Sequence, residues 1–339
     1  MPDTANFTID VIIPCYNAHK TLSRALSSVA MQTVADRVTV TLVDDCSPDG
    51  GYEDIAKQFE GLLKMDVITL PENGGPAVAR QAGMDETDGD FICFIDADDT
   101  LATAHALSVM ARTMVEHSMD VVSGQFVEEV ENGSFVVHPQ NMIWVFGKLY
   151  RRSFLDRFLV RFNDTRCNED TGFNSLINAL TTRVEHIPQT VYTWHYAEGT
   201  ITRNNNGEYT WAHGHRGYIE NMIWAAQEMD RRGLNKEIYR KHAVTVLCRL
   251  FFMHEDVLAF APEQAAGSWE WIIRFYRECY LPIRDYVPTP YISEIYIQEH
   301  NGHKVNSIPR GTFRAFLRDL REETAEPLPL PKKEEPCGQ

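Results

Sequence analysis

The stretch FICFIDADDT at residues 91–100 decides how the rest of the chain is interpreted. Its first five residues are apolar, which predicts a strand covered on both faces of a sheet. Three carboxylates follow at once, on Asp96, Asp98 and Asp99. Because like charges this close repel one another and lose hydration together, a divalent cation is expected beside them. An acidic turn that caps the next helix would show the same pattern, so both interpretations are open at this point.

The segments before this stretch alternate between strand and helix patterns. Apolar runs predict strands at 7–13, 38–43 and 66–70, with helical spacing between them. This alternation indicates βαβ units and a parallel sheet, in which ligands bind beyond the carboxyl ends of the strands. A polar loop follows each of the four strands, and the four loops are expected to meet at one rim: 14–17, 44–49, 72–76 and 96–99.

The pattern changes after residue 100. A hairpin is predicted at 121–137 and a strand pair at 184–196. Helical spacing dominates 204–321, which is rich in aromatic residues. The tail 322–339 combines prolines with Lys and Glu, a composition that predicts disorder.

Composition excludes several classes of protein. The chain has 339 residues, 44% of them hydrophobic, and a net charge of −16, which argues against broad neutralisation of nucleic-acid phosphates. No apolar run is long enough for a transmembrane helix, and the N-terminus lacks the regions of a secretory signal. The seven cysteines are scattered and form no CxxC pair, which disfavours a disulfide scaffold or a zinc site. A cytoplasmic location is expected.

Six motifs, in order along the chain, resemble those of family 2 glycosyltransferases with the GT-A fold. They are IIPCYN (12–17), LVDDCSPD (42–49), NGGPAVARQAG (73–83), FIDADD (94–99), FGKLYRRSFL (146–155) and NEDTGF (168–173). The resemblance implies an α/β, Rossmann-like domain with a mixed, mostly parallel sheet and flanking helices. It implies the following division: a catalytic domain at 1–203, with its nucleotide-sugar half at about 7–100 and its acceptor half at about 101–203, then a mainly helical region at 204–321.

The activity that the resemblance implies is a metal-dependent, inverting transfer from a UDP-sugar to an acceptor hydroxyl. Mn²⁺ or Mg²⁺ would lie between the carboxylates and the donor diphosphate. The resemblance assigns Asp98 and Asp99 to the metal, with His195 as a further candidate ligand. Asp170 is implied as the general base that takes the proton of the acceptor hydroxyl, and Glu169 is the second candidate.

The same resemblance implies the residues that bind the nucleotide-sugar. Asp45 would accept the imide N–H of uracil, and Tyr16 would stack on the base. The remaining candidates for this role are Pro14, Asn17, Gly75, Arg80, Asp96, Asp98, Lys148, Thr200 and Arg203.

The acceptor cannot be identified from these motifs. A glycan, a lipid-linked intermediate, a protein or a modified nucleobase would each supply a free hydroxyl, and the C-terminal helices could mediate homo-oligomer formation. Two alternatives to transfer are a module that binds or senses a nucleotide-sugar and a nucleotidylyltransferase of similar fold. The second would need a loop rich in glycine and basic residues after the first strand, which 14–17 does not supply.

Overall fold

A computed structural model describes residues 7–197, 214–302 and 310–324. The chain divides into two compact units, 1–234 and 235–339. The first unit therefore extends beyond residue 203, where the sequence pattern placed the end of the catalytic domain. A helix at Gly214–Arg231 belongs to this unit because it packs on the helix at Glu169–Leu180.

The first unit consists of nine strands and seven α-helices within the described ranges. The strands are β1 (Ile9–Cys15), β2 (Val38–Asp44), β3 (Lys64–Thr69), β4 (Phe91–Phe94), β5 (Thr100–Leu101), β6 (Val121–Glu129), β7 (Phe135–His138), β8 (Lys148–Arg151) and β9 (Val184–Trp194). The helices are α1 (Leu22–Ala30), α2 (Glu53–Gln58), α3 (Pro76–Asp85), α4 (Ala106–Glu116), α5 (Arg152–Arg157), α6 (Glu169–Leu180) and α7 (Gly214–Arg231), with a 3₁₀ turn at Ala35–Arg37.

One mixed sheet forms the centre of this unit. Its strand order is β3-β2-β1-β4-β8-β6-β9-β5, and β7 pairs with β6 as the predicted hairpin. The first four strands are all parallel, while β8 joins β4 and β6 in antiparallel pairs. Every residue of β4 is buried, as the apolar run before the carboxylates predicts. The α/β fold with a mixed sheet and flanking helices is confirmed.

The predicted strand pair at 184–196 is wrong, because one long strand, β9, occupies this segment. β9 runs parallel to β6, with a register shift between Ser123 and Gln125. Pro188 lies in the shifted part of β9, where it has no N–H to offer a neighbouring strand. The structure therefore has a bulge within one strand where the sequence pattern predicted two strands.

The second unit is helical, which confirms the predicted helical region. Its elements are α8 (Lys236–Phe260), a 3₁₀ turn (Pro262–Gln264), α9 (Ala265–Phe275), a π-helical turn (Tyr276–Tyr280), a 3₁₀ helix (Leu281–Tyr286), α10 (Thr289–Gly302) and α11 (Arg310–Glu323). Phe251, Tyr296, Phe313 and Phe316 form an aromatic cluster at its core. Within the described ranges, no helix has the length and apolar character needed to cross a membrane.

One predicted boundary in the second unit differs from the structure. Helix α11 continues past residue 321 into the predicted tail, and residues 325–339 lie outside the described ranges. Self-association through these helices stays a prediction.

A buried arginine connects two halves of the first unit. Arg80 on α3 is 6% exposed. Its Nη2 donates to Asp96 Oδ1 at 2.6 Å, and its Nη1 donates to Glu169 Oε1 at the start of α6. Burial alone would lower the pKa of Arg80, but the charges of Asp96 and Glu169 outweigh it and raise this pKa above its ordinary value. The bridge therefore joins the loop after β4 to α6.

We expect the Arg80→Met substitution to destabilise the first unit. Removing the guanidinium leaves Glu169 buried without a counter-charge, which lowers the free energy of unfolding by about 3–5 kcal/mol. Urea denaturation measures this loss. Arg161→Met is the matched control, because Arg161 pairs with Asp85 where both side chains are largely exposed, and its loss is expected to be below about 1 kcal/mol. Equal losses in the two variants would contradict the account.

Candidate active site

Three of the predicted loops meet around Asp45. Its backbone N–H donates to Cys15 O at 2.9 Å. Its carboxylate accepts hydrogen bonds from the backbone of Gly74 at 2.7 Å and of Gly75 at 2.8 Å. Gly75 has φ +88°, a conformation that glycine adopts without strain. Each Asp45 oxygen has a second lone pair that could accept a further hydrogen bond. The contact of Asp45 with uracil stays a prediction.

The loop after β1 presents an aromatic side chain at this rim. Tyr16 is 51% exposed, unlike the buried residues of β1 that precede it. Asn17, with φ +52°, turns the chain away from the strand, and its N–H donates to Ser47 Oγ at 3.3 Å. Pro14 is half-buried at the end of β1. The exposed ring has the placement that stacking on a base requires, and the role itself stays a prediction.

The three carboxylates after β4, which we call the acidic corner, differ in their surroundings. Asp99 is 1% exposed, whereas Asp96 and Asp98 are half-buried. Asp99 accepts hydrogen bonds from Tyr192 Oη and from the backbone N–H of His195, both at 2.8 Å. Burial, followed by the charges of Asp98 and Asp96, raises the pKa of Asp99 well above its ordinary value. These contacts suit Asp99 to a supporting role.

His195 is held by two side chains. Its Nδ1 lies 3.0 Å from Glu129 Oε2, and its Nε2 lies 3.0 Å from Thr100 Oγ1. Both ring nitrogens therefore have partners in this conformation, so metal binding by His195 would require it to exchange one of them. Nowhere in the described ranges do three His, Cys, Asp or Glu side chains converge as metal ligands.

The acidic pair at the start of α6 separates into two roles. Glu169 is bound to Arg80. Asp170 is 7% exposed, and its Oδ1 accepts the N–H of Thr171 at 2.7 Å. Burial, then the charge of Glu169, raises the pKa of Asp170 to about 7, although Arg80 opposes the shift. A carboxylate with this pKa accepts a proton readily near neutral pH, so Asp170 is better suited than Glu169 to act as a base.

Lys148 lies on β8 and is 3% exposed. It lines a small cavity together with Asn141, Asn174 and His186. Burial lowers the pKa of its amine to about 7, and the charge of Asp170 opposes this change. A contact between Lys148 and a nucleotide-sugar stays a prediction. Thr200 and Arg203 lie outside the described residues.

Several contacts of the site were not predicted from the sequence. Tyr192 Oη donates to Asp99 and accepts the N–H of Asp96 at 3.1 Å. Arg24 Nη2 donates to Asp98 O at 2.5 Å. Arg166 donates to Asn73 Oδ1 at 2.7 Å and thereby ties the loop before α6 to the rim. Arg166 is a basic residue in a segment that also contains Asp164, Glu169 and Asp170. Its charge is the sequence signal that could have indicated this contact.

Comparison with known proteins gives consistent matches. The model of glycosyl transferase family 2 matches residues 10–176. Glycosyltransferase GlyA of Streptococcus pneumoniae is 25% identical over 58% of this chain and 31% of its own length. An N-acetylglucosaminyltransferase of Mesorhizobium japonicum is 27% identical over 67% of this chain and 59% of its own. The chain thus spans less than two thirds of these relatives.

A solved structure gives the same result for the fold. The crystal structure of Staphylococcus aureus TarS 1–349 in complex with UDP-GlcNAc superposes with a TM-score of 0.68 at 20% identity. The match covers 93% of this chain and 92% of that one. The acidic corner, the rim and the acidic pair of α6 all lie within residues 10–176, the segment that matches the family model. Residues 10–176 are therefore a glycosyl transferase family 2 segment.

Proposed function

We propose that this chain transfers a sugar from a UDP-sugar to an acceptor hydroxyl with inversion at the anomeric carbon, and that Asp170 is the general base. The observation that carries the proposal is the position of Asp170. It is buried at the start of α6, and Arg80 connects this helix end to the acidic corner through Glu169 and Asp96. A donor diphosphate at the corner and an acceptor at Asp170 would face each other across this bridge.

The pKa of Asp170 supports the role of base. A base with a pKa of about 7 is substantially ionised at neutral pH and still binds the transferred proton well. In the proposed step, the acceptor oxygen forms a bond to the anomeric carbon while the bond to the diphosphate oxygen breaks. The proton of the acceptor hydroxyl passes to Asp170.

Asp98 is the carboxylate that we assign to the metal, because Asp99 is buried and accepts hydrogen bonds from Tyr192 and His195. Carboxylate oxygen suits hard cations such as Mn²⁺ and Mg²⁺. When bound, either ion would neutralise charge that develops on the departing diphosphate.

The choice of UDP rests on the rim and on the relatives. TarS 1–349 was solved in complex with UDP-GlcNAc, and two of the matching proteins are named as N-acetylglucosaminyltransferases. In this chain, Tyr16 offers an exposed ring for a base, and Asp45, which is 4% exposed, keeps a second lone pair on each carboxylate oxygen. UDP-GlcNAc is therefore the first donor to test.

A module that only binds or senses the nucleotide-sugar is a weaker explanation of Asp170. Keeping a carboxylate buried with a raised pKa lowers stability at neutral pH, and such residues are concentrated where catalysis needs them. Binding alone would not require this residue.

We expect Tyr16→Ala to weaken UDP binding. Loss of stacking on the base costs about 1–3 kcal/mol, which corresponds to a decrease in affinity of roughly 5- to 150-fold. Calorimetric titration of UDP in the presence of Mn²⁺ measures the change. Phe135→Ala is the control, because Phe135 is 55% exposed on β7 and has no assigned role. Wild-type affinity in Tyr16→Ala would rule out this placement of the base.

Asp170→Asn is expected to stabilise the protein and abolish transfer. The folded pKa of Asp170, about 7, lies above the unfolded value of about 3.9. The wild type therefore loses stability as the pH rises from about 4 through 7, whereas asparagine does not ionise. At pH 8 the variant should be more stable by a few kcal/mol, on the order of 4 at most, and the difference should vanish near pH 4.

Thermal unfolding at pH 4.5 and pH 8 tests the predicted change in stability, and assays of UDP-GlcNAc turnover test the predicted loss of transfer. A loss of about 10²–10⁴-fold in rate is typical of a missing general base. Asp54→Asn serves as the control, since the Asp54 carboxylate is 93% exposed. Transfer at the wild-type rate in Asp170→Asn would remove Asp170 from the mechanism.

A further inference from the structure

Three aromatic rings form a column in the first unit. The rings of Tyr192 and Phe146 are stacked at 4.4 Å, and those of Phe146 and Trp144 at 5.9 Å, with planes within 9° and 8° of parallel. Trp194 packs beside the outer end, 5.4 Å from Trp144. Tyr192 and Phe146 are buried, but both indoles are half-buried. The column therefore ends in an indole pair that is partly open.

The inner end of this column touches the acidic corner. Tyr192 Oη donates to Asp99 Oδ2 at 2.8 Å and accepts the backbone N–H of Asp96 at 3.1 Å. Trp194 directly precedes His195, whose N–H donates to Asp99. The indole pair is thus fixed relative to the carboxylates that we assign to the donor side.

The outer end is fastened to the helix of the general base. The backbone N–H of Trp144 donates to Asn141 Oδ1 at 3.0 Å. Next to it, Ile143 O accepts a hydrogen bond of 2.7 Å from Asn174 Nδ2, which also donates to Asp170 O at 3.0 Å. Buried Asn174 therefore holds the segment of Trp144 against the first turn of α6. One aromatic surface is connected to both sets of carboxylates.

The chemistry around the indole pair restricts what it can bind. Ile143 and Met142, which precede Trp144, are 39% and 53% exposed and extend the apolar surface. A pyranose ring has an apolar face of C–H groups, and burying this face against an indole is favourable. The hydroxyls of the sugar stay at the edge of the ring, in water. Carboxylates lie at the inner end of the column, those of the acidic corner and Glu129 beside His195. They disfavour a phosphorylated or otherwise anionic acceptor.

We propose that Trp144 and Trp194 form the acceptor subsite and that the acceptor is an uncharged glycan whose pyranose ring stacks on the Trp144 indole. The proposal rests on the proposed function, since the ring would deliver its hydroxyl to Asp170. In this transfer, the glycan oxygen replaces the diphosphate oxygen on the anomeric carbon, and the proton of the glycan hydroxyl moves to Asp170.

Binding and transfer are measured separately. Saturation-transfer NMR with methyl β-D-glucopyranoside and cellobiose, in the presence of UDP and Mn²⁺, is expected to show contact with the wild type and with Trp144→Phe. Trp144→Ala should lose this contact while its Kd for UDP-GlcNAc, measured by calorimetry, stays within twofold. Phe135→Ala should resemble the wild type throughout. Thermal unfolding of each variant confirms that it is folded.

The transfer assay separates the two proposals. Sugar-dependent release of UDP from UDP-GlcNAc should exceed the release without acceptor, and the Trp144→Ala change should reduce this excess at least tenfold. If the wild type turns over UDP-GlcNAc with ribitol 5-phosphate but binds and uses neither sugar, the inference is wrong and the proposed function stands. Sugar contact that persists in Trp144→Ala, or weaker UDP-GlcNAc binding in that variant, overturns the acceptor subsite. If no UDP-sugar binds or turns over, the proposed function fails.

Discussion

The site depends on one buried cation between two carboxylates. Arg80 lies on α3, Asp96 follows β4, and Glu169 begins α6, so a single guanidinium joins elements that are distant in the sequence. Buried carboxylates repel one another and lose hydration, and they are stable in this arrangement because the positive charge lies between them. Without the guanidinium, the carboxylates of Asp96 and Glu169 would repel each other, and this link between the acidic corner and α6 would be lost.

This arrangement also separates the roles of Glu169 and Asp170. Glu169 neutralises Arg80, whereas Asp170 contacts Thr171 and is influenced by the guanidinium from further away. Burial and the charge of Glu169 raise the pKa of Asp170, and the charge of Arg80 limits this rise, so that the pKa is about 7. The aromatic column then links the segment of Trp144 to the same helix turn through Asn174. The proposed base and the proposed acceptor surface are therefore connected through one side chain.

Much of this fold could be predicted from the sequence, because strand and loop signals are local. The apolar run before Asp96 and the turn residues after each strand place the rim without any tertiary information. The pairing of Arg80 with Glu169 could not be predicted, since Glu169 lies 89 positions away and a helix pattern does not specify which distant side chain a buried arginine contacts. The contacts that bury Asp99 and hold His195 depend on β9, which the sequence pattern divided into a strand pair.

The most direct test of this account is the pH dependence of kcat/KM for transfer from UDP-GlcNAc. An acid limb with an apparent pKa of about 7 is expected for the wild type, because Asp170 must be ionised to accept the proton. In Arg80→Met, assayed at a temperature where the variant is folded, the limb should move to higher pH, since the charge that lowers the pKa of Asp170 is gone. An acid limb near pH 4, or one that is the same in both proteins, would contradict the account.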